Sequence, residues 1–162
     1  MTILREGNLE FNFNHIVNAR KFDDSSHGLS HCMKAVDFIV ELPDRYLFIE
    51  VKNPQDAGAN EFIEELKSGE IDEILKYKYR DSFLYEWASG RANKDIDYLV
   101  LIALSTLKKS FLRKRSESLK GKLPVRGPQS NLWPRPIIRG CGVFNIASWN
   151  RKFPDYQVKI LP

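Results

Sequence analysis

Sulfur is scarce in this chain. Two cysteines, Cys32 and Cys141, are too few and too far apart for a disulfide framework, so the default expectation is a reduced, intracellular (cytoplasmic) protein. Long apolar runs are missing too. The longest, Tyr98 to Leu104, suits a buried strand and falls well short of a membrane span. The opening residues, Met1-Thr-Ile-Leu-Arg-Glu, have no basic region followed by an apolar stretch, so no secretory leader is expected. Histidine is nearly as rare as cysteine. His27, His31 and Cys32 lie close together, but zinc would need a fourth ligand and Cys141 is the only other thiol, so the reading is loop histidines and a buried thiol. No internal repeat, low-complexity tract, helix-turn-helix or zinc-finger pattern appears.

What is present is the composition of an ordinary globular protein, 43% hydrophobic and 28% charged over 162 residues, which suits one domain spanning 1–162. Its charge is divided unevenly. Met1 to Leu104 holds 12 Lys/Arg against 19 Asp/Glu, a balance of −7, whereas Ser105 to Pro162 holds 13 against 2, a balance of +11. An acidic part able to hold a cation thus precedes a part suited to a polyanion, and nucleic acid as partner accounts for the basic part at least as well as a merely solvated face does.

Leu9, Phe11 and Phe13 alternate with polar residues and predict a short strand, followed by turn-forming residues from Asp23 to Gly28. Ala35–Leu42 and Tyr46–Lys52, rich in β-branched and aromatic residues, predict an antiparallel hairpin about Pro43-Asp44. From about Asn60 the pattern is helical, interrupted at Gly69 and running on to about Trp87. A central strand is expected at Asp97–Leu104, a basic helix from Ser110 to about Lys120, and a loop from Lys122 to Pro136. Two closing strands are expected at Ile137–Ile146 and Tyr156–Leu161. Strands separated by helices predict a single α/β domain with a central mixed sheet flanked by helices.

The hairpin carries the chemistry. With Leu42 and Arg45 flanking a two-residue turn, paired residue numbers sum to 87, which sets Asp37 opposite Glu50 with Cβ atoms roughly 4.5–5.5 Å apart. Lys52 lies on the same face as Glu50. Val36, Phe38, Val40, Leu42, Leu47, Ile49 and Val51 form the other face, the one expected to pack on the core. Two facing carboxylates repel, and a hard divalent cation such as Mg²⁺ offsets that repulsion. A nearby lysine adds a fixed charge for an activated water or a developing phosphoryl anion, so these are the parts of metal-assisted phosphodiester hydrolysis.

Asp37, twelve intervening residues, then Glu50-Val51-Lys52 resembles the motif of the PD-(D/E)XK nuclease superfamily, strongly from Ala35 to Lys52 and loosely through the following helix and the Asp97–Leu104 strand. The motif's proline is absent before Asp37. The resemblance implies a restriction-endonuclease-like fold and a metal-dependent nuclease. Asp37 and Glu50 would bind Mg²⁺ or Mn²⁺ with the Val51 carbonyl, and Lys52 would be the catalytic lysine. It also implies DNA more than RNA as substrate, and a homodimer where both strands of a duplex are cut.

The resemblance also implies an additional acid from an N-terminal helix, for which Glu10 and Glu6 are the nearest candidates, and a phosphate-directed residue on the later helix, where Lys76 and Arg80 lie one turn apart; His31, at the entry of the hairpin, is a further supporting candidate. Surface solvation is the more common explanation of such helix cations. The run Lys108, Lys109, Arg113, Lys114 and Arg115, continued by Lys120, Lys122 and Arg126, is the expected nucleic-acid contact. Trp133 and Trp149 read as core or loop anchors before they read as base-stacking residues. The alternative to an enzyme is a non-catalytic nucleic-acid-binding or assembly module on the same fold.

Overall fold

A computed structural model describes residues 1–54, 59–130 and 132–162. The expected loop from Lys122 to Pro136 is irregular on both sides of Asn131, which itself lies outside the described residues. The described residues form an α/β domain of two sheets and four helices. Strands β3 (Asn18–Lys21), β4 (Phe38–Glu41), β5 (Arg45–Lys52), β6 (Asp95–Ile102) and β7 (Gly140–Phe144) make a five-stranded mixed sheet in that order. It is antiparallel from β3 to β5 and parallel from β5 to β7. Strands β1 (Thr2–Glu6), β2 (Leu9–Phe13) and β8 (Tyr156–Ile160) make a separate antiparallel sheet ordered β1-β2-β8. None of the helices is long and apolar enough to cross a membrane, among the described residues.

The hairpin register is the expected one: Phe38 pairs with Ile49 and Val40 with Leu47, and the Leu42 amide donates to the Arg45 carbonyl across the Pro43-Asp44 turn at 2.8 Å. Helix α1 (Ala59–Ser68) gives way to α2 (Glu70–Ala88) at Gly69, whose φ of 85° is a conformation that residues with a side chain rarely adopt. Helix α3 (Lys109–Gly121) connects β6 to β7.

Packing differs from expectation in one respect that bears on the site. The hairpin has no solvent face. Phe38, Val40, Leu42, Leu47, Ile49 and Val51 meet Leu9, Phe11, Phe13 and Val158 of the smaller sheet. Ile39, Tyr46 and Phe48 on the opposite side meet Leu66, Ile71, Leu75, Tyr79, Leu112 and Leu119 of the helices. A central sheet covered on both sides needs apolar residues at odd and even positions alike, which is why β5 reads as a nearly unbroken apolar run. Val36 belongs to the helix-side cluster and not with Phe38, because it precedes the β4 ladder and its amide is taken by Ser82 Oγ of α2 at 3.0 Å.

Four elements depart from the sequence reading. β1 and β3 were not anticipated, and the expected Ile137–Ile146 strand is confined to β7. A further helix, α4 (Ile146–Lys152), follows it, started by a capping box in which the Asn145 side chain accepts from the Ser148 amide. Trp149 of α4 is wholly buried between the sheets, its indole N–H donating to the Tyr156 carbonyl at 2.6 Å. It is a core anchor.

Candidate active site

Asp37 immediately precedes β4 and, on the register of the hairpin, stands opposite Glu50. Because helices cover this face, both carboxylates are withdrawn from water: Asp37 is 7% exposed and Glu50 0%. Asp37 Oδ2 accepts from the Val51 amide at 2.7 Å, which fixes the side chain across the end of the hairpin. Lys52 Nζ and Lys78 Nζ, the latter from α2, each lie 2.8 Å from Glu50 Oε1. Two ammonium groups thus converge on one oxygen. Neither oxygen of Glu50 has an aligned hydrogen-bond donor among the described residues, and Oε2 has no ion-pair partner either. A buried carboxylate oxygen left in this state needs an explanation.

Burial, and secondly the neighbouring Glu50 charge, push the Asp37 carboxyl up to about 7, against the opposing pull of the Val51 amide and Lys78. For Lys78, burial acts to lower the pKa, but Glu50, Asp37 and Asp23 together outweigh it and the net shift is upward. The ammonium is therefore a permanent charge at this place. Lys78 also lies 3.8 Å from Asp23 Oδ2.

The three principal candidates, Asp37, Glu50 and Lys52, are brought together, and Val51 lies between the two β5 members. The supporting residues fare differently. Glu10 sits on the smaller sheet, where Lys159 and Arg5 hold its carboxyl below the usual range. The N-terminal acid whose charge reaches Asp37 is Glu6, at the end of β1, paired with Lys21 at 2.8 Å. It arrives on a strand and not on a helix. His31 is exposed in a turn and bonds to neither carboxylate, among the described residues. Cys32 is exposed, not buried as expected, while Cys141 is half-buried with its thiol pushed up to about 12 by burial.

Lys76 and Arg80 do not approach the carboxylates. Lys76 pairs with Glu73 at 2.5 Å, and both cations lie over the Tyr77 ring. The helical cation that reaches Glu50 is Lys78. Its signal was present in the sequence: it stands three residues after buried Leu75 and four before buried Ser82, on the inward stripe of α2. Ser82 Oγ, bonded to both the Lys78 carbonyl and the Val36 amide, ties that stripe to the segment leading into Asp37.

On α3, Lys109, Arg113 and Lys114 are exposed, as is Lys108 at the N-cap. Arg115 is not available to a partner. It shares the inward stripe with Leu112 and Leu119, donates to the Leu66 carbonyl at 2.7 Å and lies 3.8 Å from Asp72. The spacing Leu112–Arg115–Leu119 already marks it as inward-facing.

Among the described residues no cluster of three or more His, Cys, Asp or Glu side chains has metal-holding geometry. Two carboxylates still fit Mg²⁺, which keeps several waters and is commonly held by one or two of them, and the unpartnered Glu50 Oε2 is the position such an ion would satisfy. Compared with known proteins, the chain matches no family model, no curated protein and no solved structure.

Proposed function

We propose that the chain is a metal-dependent nuclease of restriction-endonuclease-like fold, with Asp37, Glu50 and Lys52 as its catalytic residues. The observation that carries this reading is the buried Asp37–Glu50 pair with Lys52 and Lys78 converging on one carboxylate oxygen, while the other has no partner among the described residues. A buried pair of like charges is expensive to keep, and such arrangements concentrate at functional sites.

In this reading Asp37 and Glu50, with the Val51 carbonyl, hold Mg²⁺ or Mn²⁺, which when bound acidifies a water and offsets charge on a phosphoryl group. Lys52, half-buried beside Glu50, orients that water or stabilises charge growing on the phosphate oxygens. Lys78 supplies a second fixed cation on the same side and holds Glu50 in place. Glu6, Lys21 and Asp23 add further charges beside Asp37 and Lys78. The exposed cations Lys108, Lys109, Arg113 and Lys114 follow β6, the strand paired with β5, and contact the phosphate backbone, DNA being the expected substrate.

A second reading has one observation in its favour: Lys52 and Lys78 already neutralise Glu50 without any metal. On that view the domain binds nucleic acid and does not cut. Cleavage of labelled plasmid, single-stranded DNA and RNA with Mg²⁺, Mn²⁺ or EDTA separates the two. The nuclease reading requires metal-dependent cutting that is lost in both Asp37→Ala and Lys52→Ala while their circular dichroism stays native. Salt-sensitive binding with no cutting of any substrate establishes the binding module.

A further inference from the structure

Apart from the carboxylate site, the surface feature with most chemical content lies on the other flank of α2. Arg80 stands two residues after Lys78, about 200° around the helix, so it faces away from Glu50. Beyond it, Leu84 and Trp87 project outward, Trp87 with 63% of its surface exposed. Together with the segment from Trp133 to Ile137 they wall a hollow of about 420 Å³. Trp133, 39% exposed, also walls an adjoining hollow with Arg126 and Arg135, and a third, shared with Leu84, is bordered by Arg80. The first shares Trp133 to Pro136 with the second and Phe83, Leu84 and Ile137 with the third, so the three neighbour one another along a grooved surface.

Its chemistry is unusual for a surface. Two indole rings are presented to solvent, and no carboxylate lines any of the three hollows; Glu117, itself paired with Lys120, lines a further one that shares Pro124, Arg126 and Gly127 with them. Arg80, Arg126 and Arg135 have no carboxylate partner among the described residues. Most other cations of the molecule are paired, including Arg139, which pairs with Asp97, and Lys122, which pairs with Glu73. An apolar protein partner would account for the indoles and leave three unpaired guanidinium groups without a function. A strand of unpaired bases accounts for both features, since base faces stack on indole and phosphates pair with guanidinium.

We propose that this groove binds single-stranded nucleic acid, with Trp87 and Trp133 stacking on bases and Arg80, Arg126 and Arg135 holding the backbone. The groove does not depend on Asp37, Glu50 or a metal, so it goes beyond the nuclease reading and stands if that reading fails.

The chain contains its own probe. Of its three tryptophans, Trp149 is wholly buried and provides a constant signal, while Trp87 and Trp133 report on the groove. The full chain is titrated with a single-stranded oligo-dT in EDTA, with tryptophan fluorescence read at low and high salt. Quenching that saturates and weakens with salt is expected. Trp133→Ala should weaken binding about five- to hundredfold, the range for losing one stacked base. Trp133→Phe should stay close to wild type and Arg135→Ala should reduce the salt dependence. Absence of quenching at low salt overturns the proposal, as does unchanged affinity in Trp133→Ala. A chain that sediments as a dimer through this face, with no response to oligo-dT, overturns it in favour of a protein partner. Loss of cleavage in Mg²⁺ with binding retained counts against the nuclease reading alone.

Discussion

Replacing Asp37 with asparagine removes a charge that the metal-free protein holds at a disadvantage. The side chain is buried against Glu50, and its carboxyl is raised from 3.8 to about 7. A carboxyl with a raised folded pKa binds protons more tightly in the folded state. Its folded form is therefore favoured most below the unfolded pKa, and stability falls as pH rises from about 4 to about 7, then levels off. At 1.36 kcal/mol per pKa unit, the raised pKa costs the fold about 4 kcal/mol at pH 8; at pH 5, where the folded carboxyl is still protonated and only the unfolded one ionises, the cost is about 1–2 kcal/mol. Asparagine keeps an acceptor for the Val51 amide, so the substitution removes the charge and leaves the hydrogen bond. Urea unfolding of wild type and Asp37→Asn, in EDTA at pH 5 and pH 8, should show the variant more stable at both, with the larger gain at pH 8. A variant no more stable than wild type at pH 8, or a gain independent of pH, refutes the argument that burial and Glu50 oppose the Asp37 charge.

Glu50→Gln leaves the ammonium groups of Lys52 and Lys78 close together with no counter-charge between them, and should lower stability by about 3–5 kcal/mol in the same unfolding assay. Ser82→Ala orphans the Val36 amide and should cost about 1–3 kcal/mol, with faster hydrogen exchange at Val36 as its local signature. Arg115→Ala should destabilise by about 1–3 kcal/mol by stripping the donor from the Leu66 carbonyl. Arg113→Ala, on the exposed side of the same helix, should leave the melting temperature unchanged and lower the salt dependence of nucleic-acid binding by about one phosphate contact.

The part of the site that depends on local chemistry was legible in the sequence. Pro43-Asp44 sets the turn, the turn sets the register, and the register sets Asp37 against Glu50. Parts that depend on contacts across the chain were harder to read. Asn18-Ala-Arg-Lys21 has no apolar alternation and becomes strand β3 only because β4 offers it an edge. In the sequence Lys78 is one cation among several, and its role is decided by helix phase, since it shares a stripe with Leu75 and Ser82 while Lys76 is held by Glu73 and Arg80 turns outward. The same logic moves Arg115 from the surface to the interior. Glu10 is held by Arg5 and Lys159 and Glu6 by Lys21, and which of the two acids reaches Asp37 is a matter of how β1, β2 and β8 pair. Burial of both faces of the hairpin follows from the smaller sheet, whose strands come from opposite ends of the described chain.

That pairing has a consequence for the order of events during synthesis. Leu9 aligns with Ile160 and Phe11 with Val158, so the sheet covering Leu47, Ile49 and Val51 cannot be completed until the last residues of β8 exist. A chain still being translated can assemble the hairpin and its helices first. One side of β5 then remains bare, with β2 unpaired along one edge, and such a surface invites association with other nascent chains. Strand β8 thus acts as a lock on the part of the polypeptide that precedes it, and the interval before it emerges is when that part is most exposed to aggregation.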